Sequence, residues 1–227
     1  TIGGIAKGSG MIAPNMGTML AFIYTDAEIG AKPLSAALKQ AAKRSFNRVV
    51  VDGDTSTNDM ALCTATGESG KVNEKEFSAA LEECCRILAK QIAMDGEGAT
   101  RMIEMIVRGA PKEDQAEKIA RTIIESPLVK TAVYGEDPNW GRVVAAAGRA
   151  GVKFDPDVIS LWISDGSNRY PLVKSGEIIA DLKKAKEAMH NKTVTFELDL
   201  AAGEAEATAW GCDLTEKYVE INGRYTT

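Results

Sequence analysis

The feature that most constrains this chain is a change of pattern at Asp95-Gly96-Glu97-Gly98, where two acids and two glycines separate unlike halves. Before the break, glycine-rich turns alternate with short apolar runs and lead into one long helical pattern. After it come strand, helix, strand and helix, then several strands joined by tight turns. Such a break predicts two domains, residues 1–98 and 99–227, and 227 residues are enough to give each a core.

Local patterns fill in the halves. Ile2 to Ala6, Thr18 to Tyr24 and Arg48 to Val51 read as buried strands. Pro33 suits a first helical turn and opens a segment with Leu34, Ala37, Leu38 and Ala41 at helical spacing. Asn73 followed by Glu76 resembles a capping box, and Phe77, Leu81, Cys84, Leu88 and Ile92 then give one apolar face. In the second half, Thr100 to Val107 reads as a strand and Pro111 to Glu125 as a helix with Ala116, Ile119, Ala120 and Ile123 inward. Leu128 to Tyr134 reads as another strand, and Asp137 as the cap of a helix running to Gly148 with Pro138 at its first position. Val158 to Ser164 reads as a strand ending at the turn Asp165-Gly166, and Leu198 to Trp210 as a hairpin turning at Ala201-Ala202-Gly203. Strands and helices in this order predict an α+β layered architecture.

Several classes are disfavoured. A net charge of -5 without a basic stripe gives no footprint for a phosphate backbone, so no nucleic-acid partner is expected. No apolar run approaches the roughly 18 residues of a membrane span and no signal-peptide pattern opens the chain, which predicts a cytoplasmic protein with no membrane association. The start at Thr1 without Met reads as part of a longer protein. Cys63, Cys84, Cys85 and Cys212 lack zinc spacing and read as reduced core thiols. The acidic stretch Asp52 to Asp59 fails as a calcium loop, since its sixth position is Thr57 and its twelfth is Cys63. GGIAKGSG lacks the ending of a phosphate loop. Neither metal nor cofactor is expected, and His190 reads as an exposed residue at a helix end.

Chemistry concentrates in Ile5 to Asp26. Thr18, taken alone, reads as an ordinary β-branched strand residue. A threonine hydroxyl becomes a competent nucleophile, however, when Thr is the first residue of a chain, because its own α-amine, of pKa roughly 7.7–8.0, can take the hydroxyl proton. Such a residue must be unmasked by cleavage. Gly17 before it leaves the scissile carbonyl open to the hydroxyl.

KGSGMIAPNM, followed by TML and then by Thr25-Asp26, is similar to the self-cleavage region of the ornithine acetyltransferase (glutamate N-acetyltransferase) family, with Gly17 where that family usually has Ala. VDGDTSTND at Val51 to Asp59, DGEGAT at Asp95 to Thr100, YGEDPNWGR at Tyr134 to Arg142 and the ending WGCDLTEKYVEINGRYTT carry the resemblance over essentially the whole chain. It implies a layered α/β sandwich of the self-cleaving N-terminal-nucleophile type, with a smaller α+β C-terminal domain whose tail returns to the active site. It also implies cleavage between Gly17 and Thr18 into α and β chains, an assembly of (αβ)2 or higher, and oxyanion-hole donors on the α chain. Thr18 would carry an acetyl group from N-acetylornithine to glutamate by a ping-pong route in arginine biosynthesis, with acetyl-CoA left open as a second donor. Lys7, Thr18, Glu97, Asn222 and Thr227 are the substrate contacts the resemblance implies; by themselves Lys7 and Glu97 read as a loop lysine and a turn carboxylate. Asn58 and Asp59 are candidates for orienting the nucleophile. Two other readings stand beside this one: a self-cleaving aminopeptidase or amidase, and an inert piece lacking the α chain.

Overall fold

The computed structural model describes residues 1–13 and 19–224. The chain divides into two compact units, Thr1–Gly96 and Glu97–Thr227, each with mixed α+β layers.

In the first unit β1 (Ile2–Lys7) runs antiparallel to β2 (Leu20–Thr25), and β4 (Met60–Ala65) lies parallel to β2 on its other side. Between β2 and β4 come α1 (Ala31–Arg44) and the two-residue β3 (Val49–Val50); α2 (Glu74–Met94) follows β4. Strand β4 was not anticipated, because its neighbours in sequence read as polar turns. Helix α1 begins two residues before Pro33, whose missing N–H falls in the first turn where no intrahelical partner is needed. Asn73 caps α2 as its sequence implies, its side-chain oxygen accepting from Lys75 N at 3.0 Å and Glu76 N at 3.2 Å, an arrangement worth about 1 kcal/mol. Phe77, Leu81, Leu88 and Ile92 are buried, but Cys85 rather than Cys84 completes the stripe. Burial pushes the Cys85 thiol up to about 12, with help from Cys84 and Cys63, so it is an inert core group.

The sheet of this unit is two-faced. Ala21, Ile23 and Thr25 point to the buried side. On the other side Ile5, Phe22 and Leu62 stand in one cross-strand row, with Ile5 69% and Leu62 45% exposed, and Tyr24 and Met60 flank them.

In the second unit the strands are β5 (Met102–Ala110), β6 (Ser160–Ser164), β7 (Arg169–Lys174), β8 (Glu177–Ile178), β9 (Thr193–Asp199) and β10 (Ala205–Cys212), side by side in the order β10-β5-β9-β6-β7-β8. Helix α3 (Glu113–Glu125) lays Ala116, Ile119, Ala120, Ile123 and Ile124, all fully buried, against β5 and β10. Helices α4 (Pro127–Tyr134), α5 (Trp140–Gly148), α6 (Leu182–Ala188) and α7 (Glu216–Arg224) complete it.

Three expectations need correction here. Leu128 to Tyr134 is helical, not a strand. Val129, Lys130, Ala132 and Val133 are buried, which is one helical face rather than an alternating pattern, and Pro127 occupies the first helical turn. Helix α5 starts at Trp140 and is capped by Asn139, whose side chain accepts from Arg142 N at 3.2 Å; Asp137 instead takes a bond from the Asn139 amide. Leu198 to Trp210 is not a hairpin, because β5 lies between β9 and β10, parallel to the first and antiparallel to the second. The connection crosses the end of β5, with Leu200 N and Ala202 N donating to the Arg108 and Gly109 carbonyls at 3.0 and 2.7 Å. Gly203 is needed for that crossing: a Cβ there would sit 2.3 Å from the Ala110 carbonyl oxygen.

The β6–β7 hairpin does turn at Asp165-Gly166. Asp165 Oδ1 accepts from Asn168 N at 2.6 Å and Ser167 N at 2.8 Å, and these bonds hold its carboxyl down at about 2. The folded value lies below the unfolded carboxylate's roughly 3.9. The stabilisation is therefore present above about pH 4 and lost as the pH falls through about 2. Titration of this carboxyl followed by NMR is expected to give a midpoint near 2; a midpoint at the ordinary carboxylate value would contradict the hydrogen bonding.

Candidate functional site

Of the residues singled out in the sequence, Gly17, Thr18 and Thr227 lie outside the described residues. The chain on both sides of residues 14–18 is described, and it is held by the acidic stretch that follows β3. Asp52 accepts from Met11 N at 2.7 Å and Ile12 N at 3.0 Å, and Val51 N donates to the Ile12 carbonyl at 2.8 Å. Met11 has a positive φ of 53°, a strained conformation that its bond to Asp52 helps to hold. On the other side Asp59 Oδ1 accepts from Met19 N at 2.8 Å, and Met60 N donates to the Met19 carbonyl at 3.0 Å.

The residue immediately after Thr18 is thus pinned through both of its backbone polar groups. Of the two candidate orienting residues, Asp59 makes a contact at Met19, next to Thr18, while Asn58 N bonds within its own loop to Ser56 Oγ at 3.1 Å. Asp52 was not foreseen as an anchor; the only signal for it was its place in the acidic loop. Lys7 ends β1 directly across from Leu20, two residues beyond Thr18, and its side chain is exposed. A groove of about 630 Å³ between β1 and α2 is lined by Ile2, Gly4, Phe77, Cys84 and Leu88 among others, and among the described residues none of the predicted site residues lines it.

In the second unit two residues 125 positions apart come together. Asn222 Nδ2, on α7, donates to Glu97 Oε2 at 2.8 Å and also to the Tyr218 carbonyl at 3.1 Å. Several bonds place the partners. Thr215 Oγ1 donates to the Gly98 carbonyl at 2.7 Å and accepts from Lys217 N at 3.1 Å, linking the loop to the start of α7. Asp213, only 2% exposed, accepts from Thr100 N at 2.8 Å, Arg101 N at 3.1 Å and the Thr100 hydroxyl. The buried Lys130 Nζ donates to the Cys212 carbonyl just before Asp213.

The YGEDPNWGR segment braces the same region. The Tyr134 hydroxyl bonds to Glu216 on α7, which lowers the Glu216 carboxyl below its usual range and raises Tyr134 above its own. Glu136 pairs with Arg101 through one carboxylate oxygen and meets His190 Nε2 at 3.1 Å with the other. His190 is exposed, as its position implied, but it has this carboxylate partner.

Chemically, the Glu97 carboxylate beside the Asn222 amide offers a negative charge and polar atoms that can face an ammonium group. Among the described residues no group of three or more His, Cys, Asp or Glu side chains could hold a metal ion, and no helix is long and apolar enough to cross a membrane.

The model of the ArgJ family matches residues 1–227. A glutamate N-acetyltransferase of Methanosarcina mazei is 54% identical over 100% of this chain and 59% of its own length. An arginine biosynthesis bifunctional protein ArgJ of Symbiobacterium thermophilum is 51% identical over 100% of this chain and 58% of its own. The chain therefore spans a little under three fifths of the length of these curated relatives. The crystal structure of the arginine biosynthesis bifunctional protein argJ of Bacillus halodurans superposes with a TM-score of 0.86 at 40% identity, over 92% of this chain and 100% of that one.

Proposed function

The chain belongs to the ArgJ family, and on that premise we propose that it is the larger part of a glutamate N-acetyltransferase that carries acetyl from N-acetylornithine to glutamate on Thr18. The observation that carries this reading is the Glu97–Asn222 contact at 2.8 Å. The family resemblance assigns both residues to substrate separately, from opposite ends of the second unit, and one hydrogen bond joins them.

Catalysis begins with self-cleavage. The Thr18 hydroxyl attacks the Gly17 carbonyl, the peptide becomes an ester as the Thr18 nitrogen leaves as the free α-amine with the hydroxyl proton, and water hydrolyses the ester to give the Gly17 carboxylate and restore the Thr18 hydroxyl. In turnover that amine takes the hydroxyl proton while Oγ attacks the acetyl carbonyl of N-acetylornithine. The proton passes to the departing amine of ornithine. The glutamate amine then attacks the acetyl ester, releasing N-acetylglutamate and restoring Thr18. The hold of Asp59 and Met60 on Met19 supports the nucleophile assignment, because an attack in two successive reactions needs a backbone that does not drift.

Lys7 faces a substrate carboxylate, Glu97 and Asn222 face its amino group, and Thr227 supplies a further contact. The greater length of the relatives and the apolar outer face of the first unit's sheet, Ile5, Phe22 and Leu62, support a partner segment from the same precursor, the α chain with the oxyanion donors. Acetyl-CoA remains open as a second donor, and an (αβ)2 or larger assembly goes with this reading.

The test is the covalent intermediate. Incubating the cleaved full-length protein with N-acetylornithine and no glutamate, then quenching in acid, is expected to add one acetyl group that maps to Thr18 and disappears when glutamate is added. A chain left unmodified under turnover conditions would remove the ping-pong route.

A further inference from the structure

We propose that Thr215 and Gly98 are positioning residues that set the Glu97–Asn222 pair, an inference that rests on the reading of that pair as a substrate contact. Helix α7, which carries Asn222, buries none of its residues. Only Tyr218 and Ile221 on it are half-buried, so packing holds the helix weakly and the bonds at its start help to decide where Asn222 stands. Thr215 supplies two of them with one hydroxyl: it donates to the Gly98 carbonyl, the residue next to Glu97, and accepts from Lys217 N in the first turn of α7. The loop and the helix are registered to each other by that oxygen.

Gly98 completes the contact from the other side. Its φ is +72°, in the region that favours glycine, and a Cβ on it would lie 2.6 Å from Tyr218 N and 2.9 Å from the Lys217 carbonyl carbon. Only a glycine allows the loop so close to the backbone of α7. The far end of the loop is held independently, by the buried Asp213 carboxylate on Thr100 and Arg101. Glu97 thus sits on a loop fixed at its far end, and Thr215 and Gly98, together with the Tyr134–Glu216 bond at the first residue of α7, set its distance to Asn222. Neither residue touches substrate in this arrangement; both act through the pair.

The experiment measures kcat and KM for N-acetylornithine in the cleaved full-length protein carrying Thr215→Val, Thr215→Ser, Gly98→Ala, Glu97→Ala, and the first and third combined separately with Glu97→Ala. Thr215→Val is expected to raise KM about three- to ten-fold, the scale of one hydrogen bond, with kcat nearly unchanged. Gly98→Ala should raise KM by about ten-fold or more, since backbone must move, and Thr215→Ser should restore the native value. In the Glu97→Ala background each substitution should add less than its full rise, because half of the pair through which it acts is already missing. Additive penalties in the double variants, or a fall in kcat at constant KM, would overturn the positioning role while leaving the substrate contact intact. An unchanged KM in Glu97→Ala alone would overturn the substrate contact itself, and the positioning role with it. Should Thr215→Val not fold, the Gly98→Ala pair of variants makes the same comparison.

Discussion

Replacing Thr18 by alanine is expected to leave the full-length precursor uncut and to abolish acetyl transfer, because one hydroxyl performs both attacks. Loss of a covalent nucleophile costs on the order of 10⁴- to 10⁶-fold in rate. Gel analysis reads the first effect, and N-acetylglutamate formation from N-acetylornithine reads the second. Thr18→Ser keeps the hydroxyl and the future α-amine and should retain part of both activities. Turnover in the alanine variant with the rest of the protein present would sink the assignment. The loss is expected to be chemical rather than structural, because the bonds of Met19 to Asp59 and Met60 are made by its own backbone and do not use the Thr18 side chain.

The largest effect on stability is expected for Trp210→Ala. Trp210 on β10 is 2% exposed, and its indole N–H donates to Glu104 Oε1 at 2.8 Å on the adjacent β5. Removing it empties a ring-sized volume in the sheet and takes a donor from a half-buried carboxylate. Truncating a buried tryptophan costs about 3–5 kcal/mol, and the lost bond to Glu104 adds to the upper part of that range. The unfolding midpoint of the second unit should fall by on the order of 10 °C. Trp210→Phe, which keeps an aromatic ring and much of the volume while losing the N–H, should fall by less. Calorimetry of the two variants separates the contributions, and equal losses would mean that the hydrogen bond rather than the volume is what matters.

How much of this was legible depended on whether the information was local. Asn73 ahead of Glu76 gave the start of α2, and the spacing of Ala116, Ile119, Ala120 and Ile123 gave the buried face of α3, because caps and helical faces are written in a few consecutive residues. Leu128 to Tyr134 was misread because a short apolar run of eight residues or fewer suits a strand as well as a buried helix. One side chain of that buried face, Lys130, bonds to the Cys212 carbonyl 82 positions away. The pairing of β9 and β10 was misread for a related reason: the alternation that marks each strand says nothing of which strand lies beside it.

The candidate site divides in the same way. Lys7, Glu97, Asn222 and Thr227 carried no local signal for their roles and entered only through family resemblance. Asp59 was suggested by its acidic loop, but Asp52, Asp213 and Thr215 act through partners 40 or more positions distant. No spacing rule reaches that far.

The insertion of β5 between β9 and β10 also sets a timetable for synthesis. Glu104 on β5 meets Thr195 across 91 positions and Trp210 across 106. A ribosome making this chain completes β5 about 80 residues before β9 begins, so a strand that ends up paired on both sides waits through that stretch with both edges open. Local helices such as α3 can form at once, but the sheet cannot close until Cys212 has been added. Closing loops of that length makes folding slow, and an unpaired apolar strand held in waiting is the segment a nascent chain most needs to keep from its neighbours.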